Sequence, residues 1–370
     1  MVKILFLIHD LGQGGAEKVL VNLVNNMDRS KFDISLIALF GGGVNEQFLK
    51  PHIRYRAIFP RAIPGNSKLQ RLFTPEFLHR MFIKEKYDIE VAYLEGMTAR
   101  IISGCKNPDT KLVCWIHSTI ATEAAGASCF RSMEEAQTYY GRFDRVVGVS
   151  ASVQQSFKKI FQQAPKVEVL YNTVESENIL KQSKRTAEKL SDDCGQIRLI
   201  SVGSLKQVKG FERLIRVHSR LCEEGYPVHT YLLGRGPDRE KLEQQAIDCG
   251  KADTITFLGF DTNPYQYVAK SRLFVCSSYS EGFSTAATEA LIVGTPVCTV
   301  EVSGMKEMLG ENNEWGIVTE NDEEALYQGI KRLLDNPALL AHYKEKAIVR
   351  GKSFSTENTV KAVENMLLSL

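Results

Sequence analysis

Short, almost wholly apolar runs alternate along this chain with longer segments in which apolar residues recur every third or fourth position. Runs of the first kind, at 3–8, 32–39, 89–94, 111–116 and 145–150, predict strands buried on both faces, as a parallel sheet requires. Segments of the second kind predict the helices between them. In 16–27, for example, Ala16, Val19, Leu20, Leu23, Val24 and Met27 form one buried stripe. The stretch 53–59 alternates with Arg54 and Arg56 and predicts an edge strand.

The alternation stops at 174–195, a polar stretch read as a partly helical linker, and begins again at 197–203, 228–234, 254–259 and 273–276. Three helical segments follow at 321–334, 337–351 and 355–370. The pattern predicts an α/β protein of two doubly wound, Rossmann-like domains: 1–173 completed by a C-terminal helix 355–370, and 196–354.

Composition narrows the function. With 370 residues, 44% hydrophobic and 24% charged, the chain has the make-up of a soluble globular protein. A net charge of +2 argues against a dedicated nucleic-acid binder. The charge is uneven: residues 1–175 hold 22 Lys and Arg against 17 Asp and Glu, +5, and the remainder 24 against 27, −3. Eight cysteines without a Cys-x-x-Cys pair read as reduced core thiols of a cytoplasmic protein, not as a zinc site or disulfide framework.

The apolar start is broken by His9 and Asp10, too early for a signal peptide, and no run approaches the roughly 18 apolar residues of a membrane span. Leu69, Leu72, Phe73, Phe77, Leu78, Met81 and Phe82 nevertheless predict an amphipathic helix among Arg61, Lys68, Arg71, Arg80, Lys84 and Lys86. Residues 61–86 are therefore a candidate peripheral contact with an anionic membrane at its inner face, or equally a solvated helix face.

Candidate chemistry concentrates at 278–296. Ser284 or Thr285 caps a helix that Gly294 and Pro296 end, and the preceding strand places the loop at the carboxyl end of a sheet. Free amides at such a helix start bind phosphate. Glu281 and Glu289 flank the position, where they either grip sugar and ribose hydroxyls or are solvated glutamates beside an ordinary cap.

Glu281 and Glu289, seven residues between them and Gly-Phe283-Ser284 inside, resemble the signature of the retaining glycosyltransferases of family 4. The nearby 294–296 and 303–307 stretches fit the same pattern. The resemblance implies the GT-B fold, two domains facing across a cleft, with a nucleotide-sugar donor on the second and a glycan or lipid-linked acceptor on the first. It also implies transfer of a hexose, from a UDP-sugar by preference, with anomeric configuration retained.

Residue by residue, the resemblance gives Lys209 the donor diphosphate, Glu281 the donor hydroxyls and the anomeric charge, Glu289 the ribose, and His117 the transferred sugar. The remaining donor contacts fall on Gly14 and Gly15 in the first loop, on Arg235, Phe260 and Asn263, and on Phe283, Ser284 and Thr285. One departure is visible: Ser204 stands where the family has an arginine. Lys206, in the same turn, carries an ammonium group that can take its place, or is a solvated loop residue.

No Asp-x-Asp pair follows a strand, and Asp192-Asp193 lies in the linker, so no metal or other cofactor is expected. A dehydrogenase is disfavoured because Gly12-Gln-Gly14-Gly15 lacks the full glycine pattern and the second strand ends without an acidic residue. An epimerase of the same architecture and a silent sugar-nucleotide-binding subunit are the remaining rivals.

Overall fold

The protein is described by a computed structural model covering residues 1–12, 14–61, 71–162, 166–190 and 195–370. It divides into two compact units, Met1–Val174 with Thr356–Leu370, and Glu175–Ser355.

The first unit is built on seven parallel strands, β1 (Val2–Ile8), β2 (Phe32–Phe40), β3 (Arg54–Phe59), β4 (Ile89–Ala92), β5 (Lys111–Ile116), β6 (Arg145–Gly148) and β7 (Val167–Val169), in the order 3-2-1-4-5-6-7. Residues Ile4 to Ile8 of β1 are wholly buried, with β2 on one side and β4 on the other, which is why this strand carries no polar residue after Lys3. Strand β3 is the edge that its alternating arginines predict, and Arg54 reaches across to Asp33 on β2 at 2.8 Å.

The second unit has six parallel strands, β8 (Ile197–Val202), β9 (Val228–Leu233), β10 (Ile255–Gly259), β11 (Leu273–Cys276), β12 (Val297–Val300) and β13 (Ile317–Thr319), in the order 10-9-8-11-12-13. Both sheets thus reverse direction of winding beside their first strand, between β1 and β4 and between β8 and β11. In open α/β sheets this switch point, at the carboxyl ends of the strands, is where ligands lie.

The last helix, Thr356–Leu368, belongs to the first unit: Glu364 Oε1 accepts from the Asp28 amide at 2.6 Å, and Val363 and Leu367 are buried. The polar 174–195 stretch contains the helix Ser176–Ser183, whose Ile179 is buried in the second unit.

The amphipathic helix expected from Leu69 onward starts later. It runs Pro75–Phe82, with Thr74 capping the Phe77 amide and Pro75 in the first turn, so Leu72 and Phe73 precede it. Lys68 and Leu69 lie outside the described residues, as do Asp192, Asp193 and Cys194. The seven described cysteines are free thiols, and no described helix is long and apolar enough to cross a membrane.

Candidate functional site

The loops after β8 and β11 adjoin at the switch point of the second unit. Gly210 ends the β8 loop with φ +61°, and a Cβ on it would lie 2.0 Å from the Ser277 carbonyl, so only glycine permits this approach. The two loops are joined by hydrogen bonds from Ser277 Oγ to the Lys209 carbonyl (3.0 Å) and from the Tyr279 amide to the Val208 carbonyl (2.8 Å).

Arg213, buried on the helix Phe211–Glu223, fixes the same backbone. Its guanidinium donates to the carbonyls of Ser277 (2.6 Å) and Ser278 (2.7 Å) and to Asn321 Oδ1 (2.9 Å), and lies over the Tyr279 ring.

This framework brings together two of the residues singled out in the sequence. Lys209 Nζ lies 2.6 Å from Glu281 Oε1, and Ser278 Oγ donates to the same oxygen at 2.5 Å. The side chains of Lys209 and Glu281 are 25% and 10% exposed, so the pair is reachable from solvent yet largely removed from it.

Ser284 is the cap of the helix Thr285–Ile292, its hydroxyl accepting from the Ala287 amide at 3.3 Å; Thr285 is the first helical residue. Glu289 is buried within that helix and accepts from the Tyr265 hydroxyl at 3.2 Å. The alternative of two freely solvated glutamates therefore does not hold.

Phe283, expected among the donor contacts, has its ring in the core against Phe354, and its edge lies where a Cβ on Gly304 would fall. Only the backbone at Phe283 is left to meet a ligand.

The β9 loop closes against the β8 loop. A Cβ on Gly234 would come within 1.8 Å of the Gly203 carbonyl, and the Leu205 amide donates to the Arg235 carbonyl at 3.0 Å. Arg235 extends over the exposed ring of Phe260, 4.8 Å from guanidinium carbon to centroid. Asn263 is buried, and its side-chain amide donates to the Gln182 carbonyl at 3.1 Å, tying the β10 loop to the helix Ser176–Ser183. Ser204 is half-buried and Lys206 exposed in the turn that precedes Lys209.

In the first unit, Gly14 caps the helix Gly15–Asn26 at the end of the β1 loop, and a Cβ there would strike the Glu17 carboxylate at 2.0 Å. Asn45 holds this loop, its amide donating to the Leu11 carbonyl at 2.9 Å and its side chain to the Gly12 carbonyl. The hydrogen bond from His9 keeps the Asp10 carboxyl below its ordinary pKa, whereas burial raises that of Glu17.

His117 stands at the end of β5, with its amide donating to Glu95 Oε2 at 2.8 Å and its ring against Tyr93. Its Nε2 is buried without a hydrogen-bond partner, and burial pulls the imidazole down to about 3, so the ring is neutral at physiological pH.

Among the described residues, the side chains with grouped metal-ligand chemistry are His79, Glu90 and Cys105 in the first unit, none of which the sequence pattern singled out. Arg213, Ser278 and Tyr265 were likewise missed. A signal existed for Arg213, a charged residue among the apolar positions Leu214, Ile215 and Val217 of one helix.

Two family descriptions match the chain in succession: Glycosyltransferase Family 4 over residues 13–178 and Glycosyl transferases group 1 over 182–350. The chain is 27% identical, over 96% of both sequences, to N-acetylgalactosamine-N,N'-diacetylbacillosaminyl-diphospho-undecaprenol 4-alpha-N-acetylgalactosaminyltransferase of Campylobacter jejuni.

Among solved structures it resembles Anabaena HepE in complex with UDP (TM-score 0.79, 19% identity, all of both chains). It also resembles sucrose-phosphate synthase of Thermosynechococcus elongatus (TM-score 0.80, 17% identity, 100% and 99% covered).

Proposed function

The chain belongs to the glycosyltransferases of family 4, with the two Rossmann-like domains of the GT-B fold, and from that membership we propose which reaction its residues perform. It moves a hexose from a UDP-sugar to a hydroxyl of a glycan or lipid-linked acceptor, retaining the anomeric configuration and using no metal. The observation that carries this reading is the Lys209–Glu281 pair, whose Glu281 lies three residues ahead of Ser284, the cap of the helix Thr285–Ile292.

In this reading Lys209 and the first amides of the helix Thr285–Ile292 take the negative charge of the donor diphosphate. Glu281 faces the hexose, where a carboxylate stabilises positive charge developing at the anomeric carbon. The acceptor oxygen forms its bond to that carbon as the bond to the diphosphate oxygen breaks, and the acceptor proton passes to the departing phosphate. Glu289, steadied by Tyr265, holds the ribose. His117, being neutral, donates or accepts a hydrogen bond at a hydroxyl of the transferred sugar.

Support for the donor and acceptor comes from the relatives. The HepE structure contains UDP, and the Campylobacter jejuni relative is named for transfer to a diphospho-undecaprenol-linked sugar. The test is incubation with UDP-hexoses and a polyprenyl-diphosphate glycan, followed by mass spectrometry and by NMR of the new anomeric proton. Gain of one hexosyl unit in the donor's configuration is expected; an inverted product, or transfer only from another nucleotide, overturns the finer reading.

A further inference from the structure

Near the amino ends of the first unit's strands, away from the switch point, three side chains from different elements converge. They are His79 on the helix Pro75–Phe82, Glu90 on β4, and Cys105 in the turn after the helix Met97–Ile102. An imidazole nitrogen, a carboxylate oxygen and the thiol sulfur all lie within 4.8 Å of one another. His79 Nε2 and Glu90 Oε2 are 2.7 Å apart.

The backbone holds each of these groups in place. Glu90 is paired in register with Leu5 of β1 and Leu112 of β5 and is only 2% exposed. The Cys105 amide donates to the Ile102 carbonyl (3.0 Å), its carbonyl accepts from Arg142 (2.6 Å), and the residue is 4% exposed. A Cβ on Gly104 would lie 2.1 Å from the Pro75 carbonyl, so glycine alone lets this turn press against the helix that carries His79.

An ion pair accounts for His79 and Glu90 but not for a thiol brought to the same point. Nitrogen, oxygen and sulfur donors together make the mixed set that suits Zn²⁺, whereas Mg²⁺ and Ca²⁺ take oxygen ligands. Tetrahedral bonds of about 2.0–2.3 Å set ligand atoms roughly 3.3–3.6 Å apart, so His79 and Glu90 need part by only about 0.6 Å to admit the ion.

On binding, Cys105 gives its thiol proton to solvent, and the thiolate and carboxylate together balance the two positive charges. The resulting set is neutral, which suits a buried position. The His79 side chain is 14% exposed, so the ion enters beside the ring and a water completes the fourth position.

We infer that His79, Glu90 and Cys105 form a zinc site that braces the helix Pro75–Phe82 against β4. The ion touches no reacting atom, so the inference goes beyond the transfer reaction and does not depend on it.

The test uses the full chain, stripped with a chelator and then offered Zn²⁺, Co²⁺ or Mg²⁺. Wild type is expected to retain one zinc per chain through gel filtration, and with Co²⁺ to show tetrahedral d–d bands and a thiolate-to-cobalt charge-transfer band. Saturating zinc should raise the melting temperature by about 5 °C or more, and magnesium should not.

Cys105→Ser should lose the charge-transfer band and weaken zinc binding about tenfold or more, while its metal-free melt matches that of metal-free wild type. Cys105→Ala, which keeps the position apolar, serves the same comparison if the serine variant does not fold. Loss of zinc from wild type on gel filtration, equal retention by the Cys105 variants, or stabilisation by magnesium as great as by zinc overturns the site.

Discussion

Lys209 Nζ and Glu281 Oε1 are 2.6 Å apart although 72 residues separate them in the chain. The contact joins the loop after β8 to the loop after β11, and it exists because Gly210 admits the Ser277 carbonyl and Arg213 holds that strand end in place. In the proposed reading a donor diphosphate arriving at the helix start would compete with Glu281 for the same ammonium group. The pair is thus a resting arrangement in which each partner offsets the cost of partial burial of the other.

Replacing Glu281 by Gln keeps the hydrogen bond from Ser278 and removes only the charge. Turnover is expected to fall by about 10²-fold or more, with the melting temperature little changed and nucleotide binding not weakened, because Lys209 is released. Steady-state kinetics beside a thermal melt checks this. Wild-type turnover would remove Glu281 from the chemistry.

Lys206 is exposed in the turn that holds Ser204, where the family resemblance implies an arginine. If its ammonium group substitutes for that arginine, Lys206→Ala lowers kcat/KM by about 1.5–3 kcal/mol, and adding Ser204→Arg partly restores it. A change within about 0.5 kcal/mol marks Lys206 as a solvated loop residue.

In the proposed reading Lys209 and the helix amides, without a metal ion, take the charge of the leaving diphosphate, so activity is expected to survive dialysis against EDTA. Complete loss that Mg²⁺ or Mn²⁺ restores would contradict the metal-free account.

His79 and Glu90 form a pair at 2.7 Å in the first unit, with Cys105 beside them. Burial works against the charged imidazole, but hydrogen bonds with Cys105 and Glu90 outweigh it and raise the pKa from 6.5 to about 9. A raised folded-state value means that the pair's stabilisation is complete below pH 6.5 and is lost as pH rises toward 9. Chemical denaturation of wild type should show this decline. Glu90→Gln should flatten it and destabilise by about 3 kcal/mol at neutral pH; an unchanged pH profile in the variant would contradict the assignment.

The two sheets were legible because strands such as β1 after Lys3, β5 after Lys111 and β11 are apolar runs, and the edge strand β3 betrayed itself by Arg54 and Arg56. Lys209 and Glu281 were legible as members of a motif, but their mutual contact was not, since nothing local encodes a partner 72 residues away. Arg213 and Tyr265 escaped for the same reason: their partners, the Ser277 and Ser278 carbonyls and Glu289, come from other elements.

The place of Phe283 in the motif says nothing of which way its ring turns, and the ring turns toward Phe354. At the helix Pro75–Phe82 apolar spacing suggested an earlier start than Thr74 and Pro75 permit, although a cap followed by proline is itself a sequence signal.

Calorimetric titration of UDP and GDP into wild type and Lys209→Met tests the donor site most directly. One-to-one binding of UDP, weakened about tenfold or more when the ammonium group is removed, is the predicted result. Failure of both nucleotides to bind wild type, or equal affinity in Lys209→Met, would contradict the account.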